Sequence, residues 1–135
     1  MHVSPEFYEK LERFFGSEPG IASDCRVVAK YLEATSPEKL RMISFVTLAQ
    51  ILGKTTVDDD VVRIAAILST SACHLLRKKW IFLDVETGDE HELAAEQVAA
   101  LISEGQLAHP ETGKLVENAG RHIYPFFEPE GLIGE

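Results

Sequence analysis

The chain has 135 residues, 45% of them hydrophobic and 26% charged, with a formal net charge of −9. That size and balance suit a folded globular chain and exclude the disordered and collagen-like classes. The longest uncharged runs, Met42 to Gly53 and Ile64 to Leu76, are 12 and 13 residues, short of the ~20 that span a bilayer.

Cys25 and Cys73 lie far apart with no partner at the spacing of a zinc ribbon or redox pair, so reduced thiols are expected. Glu6, Glu9 and Glu12 interrupt any leader-like apolar segment at the N-terminus, and a cytoplasmic location follows as the expectation. Charge is uneven: residues 1–79 carry eleven basic against ten acidic side chains, residues 80–135 two against twelve. Such a field repels phosphate backbones and suits either solubility or a partner with a basic patch.

In chain order, Ser4-Pro5 predicts a helix start, with serine as N-cap and proline at the first helical position. Phe7, Leu11, Phe14 and Phe15 recur at helical spacing to about Phe15. Gly16 to Gly20 predicts a break, and a second helix is expected over Asp24 to Ala34, burying Val27, Val28, Tyr31 and Leu32. Ser36-Pro37 repeats the opening device before a third, apolar and therefore central, helix from Pro37 to Leu52. Thr56 and Asp59 resemble a capping box, and the Asp58-Asp59-Asp60 run favours the positive end of a fourth helix. Its stripe is Val61, Ala65, Leu68, Ala72 and Leu75. Ser69-Thr70-Ser71 divides it from a short helix closed by Arg77-Lys78-Lys79.

From Trp80 the pattern changes to β-like runs. Trp80 to Val85 and Asp89 to Leu93, separated by Glu86-Thr87-Gly88, predict a hairpin. A short helix is expected over Ala94 to Ser103, ended by Gly105. His109-Pro110-Glu111-Thr112-Gly113 predicts a second turn, so two Glu-Thr-Gly turns lie 25 residues apart, each explained by glycine taking positive φ. Ile123-Tyr124-Pro125-Phe126-Phe127 suits an extended segment docked on the domain, fraying from Glu130. The expected fold is α+β: one mostly helical domain over residues 1–135, helical to 79, with a hairpin-bearing acidic part from 80.

Catalytic patterns are lacking. Cys73 and His74 are sequence neighbours whose side chains point apart on a helix, so they form no dyad. Ser69, Thr70 and Ser71 lie outside any Gly-x-Ser-x-Gly elbow, and no glycine-rich phosphate loop occurs. His74, His91, His109 and His122 show no metal-ligand spacing. Strand alternation sends His91 to the face opposite Glu90 and Glu92. No catalytic residue, metal or cofactor is therefore expected, although a site assembled from distant histidines is beyond the reach of sequence.

The order over residues 36–93, a core helix, a helix from Asp58, the Ser69-Thr70-Ser71 turn, a short helix to Lys79 and a hairpin, resembles winged helix-turn-helix domains. The resemblance implies that the helix after the turn enters the DNA major groove, which gives Ser71, His74, Arg77, Lys78 and Lys79 as nucleic-acid contacts. The wing, however, carries Asp84, Glu86, Asp89, Glu90 and Glu92, where DNA binders of this kind carry basic residues. The first expectation is accordingly a non-enzymatic protein-interaction or regulatory module. A DNA-binding regulator comes second and a small enzyme third. Trp80, Tyr124, Phe126 and Phe127 are the expected partner contacts if exposed, and core if buried. The expected partner is protein, a second copy of this chain in a homodimer or another chain with a basic patch. Nucleic acid is disfavoured, and no membrane partner is expected.

Overall fold

A computed structural model of the chain describes residues 2–70 and 72–132. Among them the chain forms five α-helices and one three-stranded sheet, an α+β arrangement. Contacts divide the described residues into two compact units, one within residues 1–78 and 127–135 and the other residues 79–126. No helix among the described residues is long and apolar enough to cross a membrane.

The first unit holds α1 (Pro5–Phe15), α2 (Pro19–Ala34), α3 (Phe45–Ile51) and α4 (Asp59–Thr70). Ser4 caps α1 through its hydroxyl, which accepts from the Glu6 N–H, as Ser4-Pro5 predicts. The second helix begins five residues earlier than expected. Pro19 takes its first position and carries the helix across Gly20, because proline there forfeits no hydrogen bond. The expected helix over Pro37 to Leu52 is broken: a 3-10 turn spans Pro37–Leu40, and Ile43 leaves the helix to exchange backbone hydrogen bonds with Phe127 at 2.9 and 2.7 Å. Ser44 then caps α3 by accepting from the Thr47 N–H. Asp58, rather than Thr56, caps α4, accepting from the Val61 N–H at 3.0 Å. The Lys54 ammonium beside Asp58 holds its carboxyl below the usual range.

Val28, Leu32, Leu48, Ile64 and Leu68 fill the core of this unit, joined by Phe127, whose ring meets Phe45 edge-on at 5.3 Å. Both cysteines are buried and neither is in a disulfide, and burial pushes the Cys25 thiol up to about 12. A polar clamp ties the chain's start to α2. Glu33 accepts from the Tyr8 hydroxyl at 2.7 Å and from the Val3 N–H at 3.2 Å.

The strands are β1 (Leu76–Leu83), β2 (Glu90–Glu92) and β3 (Ile123–Pro129), in the order β2-β1-β3. The expected short helix closed by Arg77-Lys78-Lys79 is absent, and these residues lie on β1. The Ser69 and Thr70 hydroxyls donate back to the Ala65 and Ala66 carbonyls at the end of α4, competing with continued helix. The Leu75 N–H donates to the Leu68 carbonyl at 2.7 Å, and the strand after it buries Leu76 and Phe82. Sheet pairing outweighs the modest helix propensity of Leu, Arg and Lys. The expected hairpin is present: β1 pairs antiparallel with β2, with Ile81 opposite Glu92, Phe82 opposite His91 and Leu83 opposite Glu90.

The second unit adds α5 (Ala95–Glu104), ended at Gly105 as predicted. Its core is Phe82, Leu93, Leu107 and Ala119, with Trp80, Val98, Leu101, Val116 and Ile123 packed on it. The segment expected to dock in extended form is β3, and Glu130, expected to fray, is tied by its N–H to the Leu75 carbonyl at 2.9 Å.

Phe127 is the side chain on which this account of the first core turns. Phe127→Ala removes a ring that is 1% exposed and should lower unfolding free energy by about 3–5 kcal/mol through lost transfer energy plus a cavity. Urea denaturation checks this, and a loss under about 1 kcal/mol contradicts the packing described.

Candidate functional site

The second unit contains a pair of turns with the same internal wiring. The first is Asp84-Val85-Glu86-Thr87-Gly88-Asp89 and the second His109-Pro110-Glu111-Thr112-Gly113-Lys114. In each, the first residue's side chain accepts from the N–H two residues on: Glu86 N–H to Asp84 Oδ1 at 3.0 Å, Glu111 N–H to His109 Nδ1 at 3.1 Å. Each glycine N–H then returns to the first residue's carbonyl, Gly88 to Asp84 at 2.7 Å and Gly113 to His109 at 2.9 Å. The last residue donates to the threonine hydroxyl, Asp89 to Thr87 at 3.2 Å and Lys114 to Thr112 at 3.3 Å. The first residue's N–H closes the loop on the last carbonyl, at 2.9 and 2.7 Å. Gly88 and Gly113 sit at φ +78° and +73°, where an L side chain is strained.

The two turns are joined through their capping side chains, as His109 Nε2 lies 2.8 Å from Asp84 Oδ2. Only 14% of the His109 side chain and 13% of the Asp84 side chain are exposed. The proton positions follow from fixed donors. His109 Nδ1 faces two backbone N–H groups, Glu111 at 3.1 Å and Thr112 at 3.3 Å, so it must present its lone pair. The ring proton then belongs to Nε2, which donates to Asp84. This bond, with the backbone N–H groups that also reach Asp84, holds its carboxyl below the usual carboxylate range.

Phe82 forms the apolar wall behind the pair. It stacks on its cross-strand partner His91, with centroids 6.2 Å apart, and meets His109 edge-on at 5.6 Å. His91 Nδ1 stands 4.0 Å from Glu111 Oε1, beyond hydrogen-bond reach, and His91 Nε2 is buried without a partner. In front of the turns lies a cleft of about 580 Å³, whose lining includes Asp84, Glu86, Thr87, Glu111, Lys114 and Glu117. The exposed side chains of Val85 and Leu115 also border it.

The residues expected to contact nucleic acid are placed differently from a reading helix. Arg77, Lys78 and Lys79 are on β1. Arg77 pairs with Glu128 and lies 3.6 Å from Glu130, while His74 Nε2 lies 3.1 Å from Glu130. Lys79 pairs with Glu92 at 2.8 Å. Ser71 lies outside the described residues. Of the expected partner contacts, Phe126 and Phe127 are buried, Trp80 is half-buried against the second core, and Tyr124 is exposed. Phe126 and Phe127 are 7% and 1% exposed, and Phe127 is part of the first core, so neither offers an exposed contact surface.

Both turns are legible in the sequence, but their meeting is not, and strand alternation by itself gives His91 no partner. The available signal was the shared frame Asp84-x-Glu-Thr-Gly and His109-x-Glu-Thr-Gly, each opening on a side chain that can accept a hydrogen bond. No protein-family model, curated protein or solved structure matches the chain.

The lowered Asp84 carboxyl sets a pH dependence. A group held below its unfolded value of ~3.9 contributes stability above that value and loses it as pH falls through the folded one. Asp84→Asn should therefore be less stable than the parent at pH 7, with the gap closing below about pH 4. Denaturant melts across that range test this, and a gap unchanged at pH 2.5 contradicts it.

Proposed function

We propose that the chain is a non-enzymatic protein-interaction module whose second unit docks a basic segment of another protein in the cleft before the twin turns. The supporting observation is the cleft itself: Asp84, Glu86, Glu111 and Glu117 against Lys114, with Val85 and Leu115 exposed alongside. Residues 79–126 carry three basic and nine acidic side chains, a net of −6. A Lys or Arg flanked by an apolar residue complements that lining in both charge and shape.

Wiring argues against the enzyme reading at this cleft. His109 has Nδ1 committed to backbone N–H groups and Nε2 to Asp84, so no ring nitrogen is left to take a proton from a nucleophile. The Thr87 and Thr112 hydroxyls already accept turn N–H groups. The DNA reading is weakened by the ion pairs of Arg77 with Glu128 and of Lys79 with Glu92, and by the His74 contact with Glu130, since binding phosphate there would first have to break them.

A fluorescein-labelled peptide alternating lysine and leucine, titrated by anisotropy, tests this reading, with a labelled DNA duplex in parallel. Exposed charge pairs are worth about 0.2–1 kcal/mol each, so Glu86→Gln with Glu117→Gln should weaken the peptide roughly 2- to 30-fold. Added salt should weaken it further. Equal affinity of the double variant, or tighter binding of the duplex than of the peptide, overturns the proposal.

A further inference from the structure

His91 belongs to two overlapping triads, one with Asp84 and His109, the other with Asp89 and Glu111, and within each the ligating atoms lie within 4.8 Å of one another. The triads differ in what an ion would displace. At the first, the Asp84 and His109 atoms are already bonded to each other, and metal on His109 Nε2 would move the ring proton to Nδ1. There it would face the Glu111 and Thr112 N–H groups, so three hydrogen bonds would be lost. At the second, Asp89 stands two residues before His91, a spacing that puts both on one face of an extended chain. Glu111 comes from the other turn with its side chain 66% exposed, and its Oε1 is 4.0 Å from His91 Nδ1.

We infer that Asp89, His91 and Glu111 form a binding site for a divalent first-row transition ion, with Zn²⁺ a fitting occupant. One imidazole and two carboxylates suit Zn²⁺, Mn²⁺ or Fe²⁺ better than the all-oxygen shells of Mg²⁺ and Ca²⁺. Three protein ligands leave open positions for water. His91 is the least exposed of the three, its side chain 14% exposed, and its Nδ1 stands 4.0 Å from Glu111 Oε1, too far for a hydrogen bond. An ion between Nδ1 and the two carboxylates would join groups that no hydrogen bond joins. A divalent cation would also offset two of the nine carboxylates of this unit. The site shares Glu111 with the cleft but uses neither Glu86 nor Glu117, so substitutions at those two residues test the peptide reading without touching the ion site.

The test uses the full chain, freed of metal by a chelator and titrated with ZnCl₂ by calorimetry and with CoCl₂ by visible absorption. One saturable ion per chain and cobalt ligand-field bands are expected. His91→Asn and Glu111→Gln should each weaken binding at least ~10-fold, whereas Glu90→Gln, an exposed carboxylate on the opposite face of β2, should retain it. Glu111→Gln alters an exposed side chain, so it decides the matter even if His91→Asn fails to fold. Absence of saturable binding at millimolar Zn²⁺ overturns the inference. So does binding that survives Glu111→Gln unchanged.

Discussion

The second unit depends on one hydrogen bond, from His109 Nε2 to Asp84 Oδ2. Each partner first organises its own turn by accepting backbone N–H groups, and the bond then joins the two turns. Without it, a carboxylate and an imidazole, both largely buried, would face each other with an unmet donor and acceptor, a loss larger than the net value of an ordinary hydrogen bond. The small core of Phe82, Leu93, Leu107 and Ala119 is too limited to fix two loops by packing alone. Polar wiring therefore does what side-chain volume does in the first unit.

The same bond decides what the site can do chemically. Because both nitrogens of His109 are occupied, the most visible imidazole–carboxylate pair in the chain is structural. Of the two imidazoles against Phe82, the one without a hydrogen bond is that of His91, on the neighbouring strand. The carboxylates of Glu86 and Glu117 line the cleft and face solvent. Turn architecture, the proposed ion site and the charge of the cleft thus all lie where the two capped Glu-Thr-Gly turns meet.

Local signals in the sequence were legible wherever the chain's own neighbours decide the outcome. Ser4-Pro5 starts α1, Asp58 to Asp60 start α4, Gly105 ends α5, and the two Glu-Thr-Gly segments turn the chain. Long-range partners overrode local pattern elsewhere. Ile43 leaves a predicted helix for a bridge to Phe127, 84 residues away in sequence, and Arg77-Lys78-Lys79 become strand because β1 finds partners in β2 and β3. For the site, turn chemistry was readable from Thr87, Gly88, Thr112 and Gly113. The meeting of Asp84 with His109, and of His91 with Glu111, depends on tertiary placement that no spacing encodes. Alternation on β2 correctly separates His91 from Glu90 and Glu92, but it says nothing of a carboxylate arriving from the other turn.

The tautomer of His109 is the most direct measure of this account. Long-range ¹H–¹⁵N correlation spectra of uniformly ¹⁵N-labelled protein at neutral pH distinguish a protonated ring nitrogen from one presenting its lone pair. The wiring predicts a neutral ring with the proton on Nε2 and a lone pair at Nδ1. A proton on Nδ1 of the neutral ring would contradict it, removing the cap of the second turn, the join between the turns and the reason for assigning the ion to Asp89, His91 and Glu111.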